Sequence, residues 1–322
     1  MKVSVVNGRL SVQAAPVHGM EGLRLRCPRC GVDLRSIDCP CCGLQLETRN
    51  GIIHALPPER AAHYARFITD YESIRAAEGR ASTSAEYYCN LPHKDLTGHN
   101  SGQWRIRARS YDALLRKVLR TAVPDGGRVL DLGAGNCWMS FRLALAGYSP
   151  CAVDLLTNSQ DGLGAAMHYY RRLPELFPRF QAELSRLPFQ PNQFDAVIFN
   201  ASFHYTEDAE AALREALRCA RPDGIVAICD TPWYRCEESG RQMVTERRTR
   251  FQARYGSASD SLKSLEFLTD TRLQALAGHT AIAWTIHTPR YGLRWKLRPL
   301  IARLRNRREP ARFRIYVARR TE

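Results

Sequence analysis

Five cysteines fall within residues 27–43, "CPRCGVDLRSIDCPCCG", and four of them stand in two copies of one short unit. Cys27-Pro28-Arg29-Cys30-Gly31 and Cys39-Pro40-Cys41-Cys42-Gly43 each read C-P-x-C-G. Two such knuckles offer four thiolates, the ligand set that a tetrahedral zinc ion takes. The glycine after each second cysteine permits the positive φ that turns backbone amides toward sulfur. Cys41 occupies the variable position and is left spare. Cys27, Cys30, Cys39 and Cys42 would saturate the ion, leaving no place for water or substrate, so the metal is expected to be structural. The alternative is a group of free or redox-active cysteines. The apolar stretches "VDLRSI" and "LQLET" suit the short strands of a ribbon.

A second set of chemistry-bearing residues follows the breakers "VPDGG". "RVLDLGAGNCWMSFRLALAGYSPCAVDLL" reads as a strand over 128–132, a glycine turn, a helix over 137–146 and a strand over 150–154. This βαβ unit opens a doubly wound sheet. Gly133 and Gly135 let the backbone approach a ligand at the strand's carboxyl end. Asp154 ends the next strand, where an acid accepts hydrogen bonds from ribose hydroxyls. A dinucleotide turn would require glycine at Trp138, and an indole there obstructs a pyrophosphate. Asp131, two residues before Gly133, suits a cationic ligand better than phosphates.

"DLGAG" resembles the first motif of class I S-adenosylmethionine-dependent methyltransferases, and the likeness continues in order across about residues 105–235. It implies a Rossmann-like α/β fold with a seven-stranded sheet and S-adenosylmethionine as cofactor. In "AELSRLPFQPNQFDAVIFNASFHYTED" it implies that Glu183 contacts the adenine amino group and that the Leu184 amide meets the ring. "FDAVIFN" is then a buried strand ending at Asn200, with "ASFHY" looping over the methyl group. "ALREALRCARPDGIVAICDTPWY" resembles the family's later helix, turn and fifth strand. Two departures stand out: the frequent third glycine is Cys137, and Asp223 precedes Gly224 in the late turn. Against a non-catalytic protein of the same fold count the intact "DLGAG", Asp154 and Glu183.

Methyl transfer from a sulfonium needs in-line approach of a nucleophile and, for a weakly acidic acceptor, a base. His204, just past Asn200, is the candidate base; packing over the cofactor is its plainer role. "NLPHKDLTGHNSGQW" (90–104) reads as a binding loop or lid, and "DTPWYRCEESG" (230–240) offers Trp233 and Tyr234 for stacking or for packing.

The elements that must position these residues divide into a tail and zinc ribbon over 1–56 and a methyltransferase domain over 57–322. The latter carries an N-terminal helical lid (57–122) and a basic helix (291–308). The net charge of +15 is uneven. Residues 290–320 hold twelve Lys or Arg against the single acid Glu309. In this stretch Leu293, Leu297, Leu300, Ile301 and Leu304 stand at helical spacing among the basic residues. Such a segment can lie on an anionic membrane, hold RNA phosphates, or pack its apolar stripe on the domain. No apolar run suits a transmembrane span, and the opening residues lack a secretory apolar core, so a cytoplasmic protein is expected.

Two acceptor classes follow. The first is a small lipophilic or aromatic molecule, since the strand pattern resembles the group that includes the ubiquinone and menaquinone C-methyltransferases. The second is rRNA or tRNA, since a four-cysteine ribbon ahead of this fold is similar to that of the 23S ribosomal RNA guanine-N1 methyltransferases.

Overall fold

Pairing begins before the cysteines. The computed structural model describes residues 22–320 and the backbone of an antiparallel hairpin, β1 (Lys2–Val6) and β2 (Arg9–Gln13). The rest of the tail expected ahead of the ribbon lies outside the described residues. In the ribbon, β3 (Leu25–Arg26) pairs with β4 (Asp33–Leu34) around the first knuckle. A hairpin of β5 (Glu47–Arg49) and β6 (Ile52–His54) follows the second knuckle. Helices α1 (Pro58–Ala77), α2 (Ala85–Asn90) and α3 (Ser101–Leu114) come next, and α3 runs through a π turn into α4 (Arg120–Ala122).

From Arg128 strands and helices alternate. β7 (Arg128–Leu132), α5 (Trp138–Leu145) and β8 (Ser149–Asp154) fall within a residue or two of the expected bounds. β9 (Arg179–Gln181), β10 (Phe194–Asn200), α6 (Ala209–Cys219) and β11 (Ala220–Cys229) follow. The apolar runs of β7, β10 and β11 are buried on both faces, as parallel strands covered by helices must be. In α6 the carboxylate of Asp208 caps the first turn by accepting from the Ala211 amide, at 2.9 Å. Its Ala212, Leu213, Ala216 and Leu217 form the buried stripe.

The chain closes with α7 (Glu237–Tyr255), α8 (Asp270–Thr280), β12 (Ile282–His287), α9 (Leu293–Lys296), α10 (Arg298–Leu304) and β13 (Ile315–Arg320). The sheet order is β12-β13-β11-β10-β7-β8-β9-β6-β5. Only β13 and β5 oppose the common strand direction. Nine strands replace the expected seven because the hairpin after the knuckles joins the edge, Ile53 pairing with Phe180 and His54 with Gln181.

The ribbon is therefore built into the domain. Leu25, Cys27, Leu34, Cys39, Leu44 and Leu46 share one hydrophobic cluster with Phe180, Phe189 and Phe194. The Arg26 amide donates to the Pro188 carbonyl at 3.1 Å, and the Gln190 amide to that of Arg24 at 2.9 Å. The chain runs β7-β8-β9 toward one edge and returns to place β10 on the other side of β7. The carboxyl ends of β7 and β10 thus flank the topological switch point, where open α/β sheets hold ligands.

Candidate functional site

The turn after β7 is set by sterics. Gly133 has φ +73°, and a Cβ there would lie 2.2 Å from the Cβ of Ser202 in the loop after β10. Gly135 has φ +53° and faces open space, with Asp161 O as the nearest neighbour at 3.5 Å. Cys137, standing where a third glycine is frequent, also takes a left-handed φ of 62° and is fully buried. That geometry explains why glycine suits the position, and a small side chain is tolerated there.

Asp154 at the end of β8 accepts from the Gly135 amide at 2.7 Å and from the Leu156 amide at 2.8 Å. Burial pushes its carboxyl up to about 6. Asp131 accepts from Ser140 Oγ at 2.7 Å on one oxygen, while the other oxygen is buried without a partner. Burial raises this carboxyl to about 7. An orphaned buried oxygen on a carboxylate that lines a cavity fits a ligand that brings positive charge.

These residues face a cavity of ≈ 1060 Å³, counted with its open mouth, that Asp131, Gly133, Gly135, Asp154, Glu183, Leu184 and Asn200 all line. Its roof is α1, whose Tyr64, Phe67, Tyr71 and Arg75 follow one helical stripe. The Tyr205 ring meets Tyr71 edge-on at 5.6 Å and Phe67 at 6.2 Å, so the three rings form one aromatic cluster on the cavity lining. Arg75 pairs with Asp161. Arg107 of α3 also lines the cavity, lying 5.0 Å over the Trp104 ring. Among the described residues no carboxylate forms an ion pair with it.

Glu183 is held from the roof. Arg60 donates to it at 2.7 to 3.1 Å, and Tyr64 Oη at 3.0 Å. The residue expected to meet adenine is thus tied to the lid helix in this state of the molecule.

His204 and its neighbour diverge: Tyr205 lines the cavity, while His204 does not. The His204 Nδ1 is buried without a partner. Burial, reinforced by Arg247 and Arg107, pushes the imidazole down to about 3. An imidazole so held is a poor proton acceptor, and the structure does not place it on the cavity wall.

The loop over 90–104 also stays off the wall. Trp104 is buried and packs edge-on to Trp138 at 6.1 Å. Trp233 and Tyr234 are buried packing residues, Trp233 bonding Asp270 at 3.0 Å under the Arg314 guanidinium. Sequence reasoning missed the α1 stripe and Arg107. The i, i+3, i+7, i+11 spacing of Tyr64, Phe67, Tyr71 and Arg75 was the available signal.

In the ribbon the four thiols expected to bind metal converge, all Sγ atoms lying within 4.8 Å of one another. Cys27 and Cys42 Sγ are 3.5 Å apart, and Cys30 and Cys39 Sγ 3.4 Å apart. A tetrahedron with Zn–S of about 2.3 Å has edges of about 3.8 Å, which falls between the shortest separations, 3.4 and 3.5 Å, and the 4.8 Å limit of the set. Gly31 and Gly43 take φ of 77° and 70°. The backbone amides of Cys42 and Cys41 hold the Cys39 thiol below its usual range. Cys41 is exposed and outside the cluster.

Residues 130–228 match the family model of a methyltransferase domain. Over 121 residues the chain is 34% identical to a demethylmenaquinone methyltransferase of Mycolicibacterium paratuberculosis, covering 37% of this chain and 49% of that protein. It is 32% identical over 121 residues to the protein of the same name from Mycobacterium marinum, covering 37% and 48%. The chain thus spans about half the length of the curated relatives it matches. Among solved structures, a Galdieria sulphuraria protein provisionally assigned as a sarcosine dimethylglycine methyltransferase superposes with a TM-score of 0.51. That match is 12% identical and covers 79% of this chain and 98% of the other. It is a likeness of fold.

Proposed function

We propose that the protein is an S-adenosylmethionine-dependent methyltransferase acting on a small lipophilic or aromatic acceptor that carries an ionisable oxygen. The observation that carries this reading is the cavity at the switch point. Its lining combines a glycine turn and carboxylates with the aromatic rings Phe67, Tyr71 and Tyr205, and with Arg107, which makes no ion pair within 4 Å among the described residues and feels the charge of Asp230. The matched methyltransferase domain, residues 130–228, includes that turn and those carboxylates.

The cofactor would supply the activated methyl group itself. Asp154 would accept from the ribose hydroxyls, and Gly133 and Gly135 would allow its close approach to backbone. The free oxygen of Asp131 would face its positive charge. Glu183 would take the adenine amino group, alongside or in exchange for Arg60 and Tyr64, with the Leu184 amide at the ring edge and Asn200 below. The protein's share of catalysis is then position and exclusion of water. Phe67, Tyr71 and Tyr205 would hold a planar acceptor, and Arg107 would favour its ionised form, the hydroxyl proton passing to solvent, so that the oxyanion supplies the electrons for methyl transfer without a proton-accepting histidine.

The four-cysteine cluster would hold a structural zinc that fixes the ribbon against β9. The relatives' name makes demethylmenaquinone the first acceptor to assay. Purified protein with methyl-labelled S-adenosylmethionine and a cell extract, separated into lipid, RNA and protein, tests the class. Label in the lipid fraction supports the reading. Label in RNA, or no binding of S-adenosylmethionine, overturns it.

A further inference from the structure

The basic segment between β12 and β13 shows a feature that its sequence pattern did not settle. Its leucine stripe stays at the surface, most exposed at its two ends and partly covered in the middle. Leu293 is 73% exposed, Leu297 42%, Leu300 55%, Ile301 40% and Leu304 76%. The i, i+4, i+7, i+8, i+11 spacing puts these side chains in one row along α9 and α10. The segment is held from its other side. The Trp295 ring stacks on Phe313 at 5.8 Å and meets Tyr291 at 5.0 Å, with the Arg298 guanidinium 3.8 Å above it.

Arg294, Lys296, Arg303, Arg305 and Arg307 are exposed around the row. Among the described residues none of them pairs with a carboxylate, whereas Arg308, Arg312 and Arg314 all do. A row of apolar side chains bordered by unpaired cations is the composition of a helix that lies in a membrane interface. No helix of the described chain is long and apolar enough to cross a membrane.

Topology places this row beside the cavity. β12 runs in the same direction as β11, so the connection from His287 to Ile315 begins and ends at the sheet edge that carries the glycine turn. Tyr291 is anchored to α3: its hydroxyl meets Ser110 Oγ at 2.8 Å, and its carbonyl accepts from Arg109. The same helix presents Arg107 to the cavity.

We propose that the exposed row of residues 293–304 docks on an anionic lipid surface, holding the carboxyl edge of the sheet, and with it the cavity, at the bilayer interface. Charge selects this occupant. A symmetric pairing of two copies would set like arginines against one another. RNA would engage the arginines and leave five exposed apolar side chains in water. Anionic lipid satisfies both, headgroups meeting the arginines while the leucines enter the acyl boundary. The consequence for an acceptor rests on the proposed function; the docking does not.

The test is co-sedimentation of the full chain with vesicles of phosphatidylglycerol and phosphatidylcholine, against phosphatidylcholine alone, without cofactor or acceptor. Binding is expected on the anionic vesicles and weak on the neutral ones. Leu297→Ser with Leu300→Ser and Leu304→Ser should weaken it by about a thousandfold, since each leucine withdrawn from the acyl boundary is worth about tenfold. Arg303→Glu with Arg307→Glu should weaken it at low salt and less at high salt. The substituted leucines are exposed, so melting temperature should not move. Should the triple variant fail to fold, quenching of unaltered protein by brominated lipid, compared with Trp295→Phe, reads the same contact. Unchanged vesicle binding by the folded leucine variant overturns the proposal. So do salt-dependent binding to total RNA that ignores the leucines, and a dimer in solution that the leucine variant dissociates. Failure of methyl transfer with docking intact would refute the proposed activity alone.

Discussion

Asp131→Asn isolates the charge that the glycine turn offers to a cationic ligand. One Asp131 oxygen is bonded by Ser140 at 2.7 Å and the other is buried without a partner. Burial raises the carboxyl from its ordinary value to about 7. A ligand bringing positive charge to that oxygen favours the ionised form, so binding below pH 7 must expel a proton. Affinity should be flat above pH 7 and fall tenfold for each pH unit below it. Between pH 8 and pH 5 the loss is then about a hundredfold, or about 2.7 kcal/mol at 1.36 kcal/mol per unit. Asp154, raised to about 6, adds to the slope only at the lower end. Calorimetric titration of S-adenosylmethionine across this range, in two buffers of different ionisation enthalpy, measures affinity and released protons together. Asp131→Asn should bind more weakly at pH 8 and lose the slope between pH 7 and 6. Stability supplies a second readout of opposite sign. Because burial raises the folded-state pKa from 3.8 to about 7, the carboxyl's contribution is fully present below pH 4 and is lost progressively as pH rises to 7. The ligand-free variant should therefore melt higher than the native protein at pH 8, by a smaller margin at pH 5, and with it only near pH 4. Native affinity constant within threefold from pH 8 to 5, or the same slope in Asp131→Asn, would refute the reasoning.

Gly133→Ala forces a Cβ to 2.2 Å from Ser202 at φ +73°, so it should lose about 3 kcal/mol of stability and all cofactor binding, read by chemical denaturation and calorimetry. Cys27→Ser should abolish stoichiometric zinc by elemental analysis and lower the melting temperature of the whole domain by about 5–10 °C, because Cys27 sits in the same cluster as Phe180 and Phe189; Cys41→Ser should change neither. His204→Gln should keep kcat within about threefold from pH 6 to 9, since an imidazole with its pKa near 3 is too weak a base to take a proton from the acceptor and does not line the cavity; a hundredfold loss would restore it as the base. Arg60→Ala with Tyr64→Phe should release Glu183 from α1 and speed S-adenosylmethionine association in stopped-flow fluorescence, and an unchanged rate would mean that α1 does not gate the site.

What could be read from the sequence was what a short segment dictates by itself. The strands over 128–132 and 194–200 are continuous apolar runs, and the knuckles and the glycine turn are places where chain geometry admits few residues. Gly133 is fixed by its φ and by Ser202, and Asp154 by the strand it ends. The edge hairpin escaped notice because Ile53 meets Phe180, far along the chain, and nothing in residues 47–54 names that partner. Periodicity likewise told which face of the 293–304 segment is apolar without telling what it would face.

The same limit separates His204 from Tyr205. They are neighbours on a single 3-10 turn, and the turn sends only the second ring into the cavity. Resemblance can mark Glu183 as the residue at the adenine position, but its availability depends on α1. Arg60 and Tyr64 reach it from a helix whose own sequence carries no trace of that acid. On the proposed assignment of Glu183 to the adenine, α1 and the cofactor would compete for one carboxylate, since Arg60 and Tyr64 already hold it. The helix would then set cofactor affinity as much as acceptor shape. Its aromatic stripe and its arginine would act on successive steps, the arginine when the cofactor enters and the rings when the acceptor does.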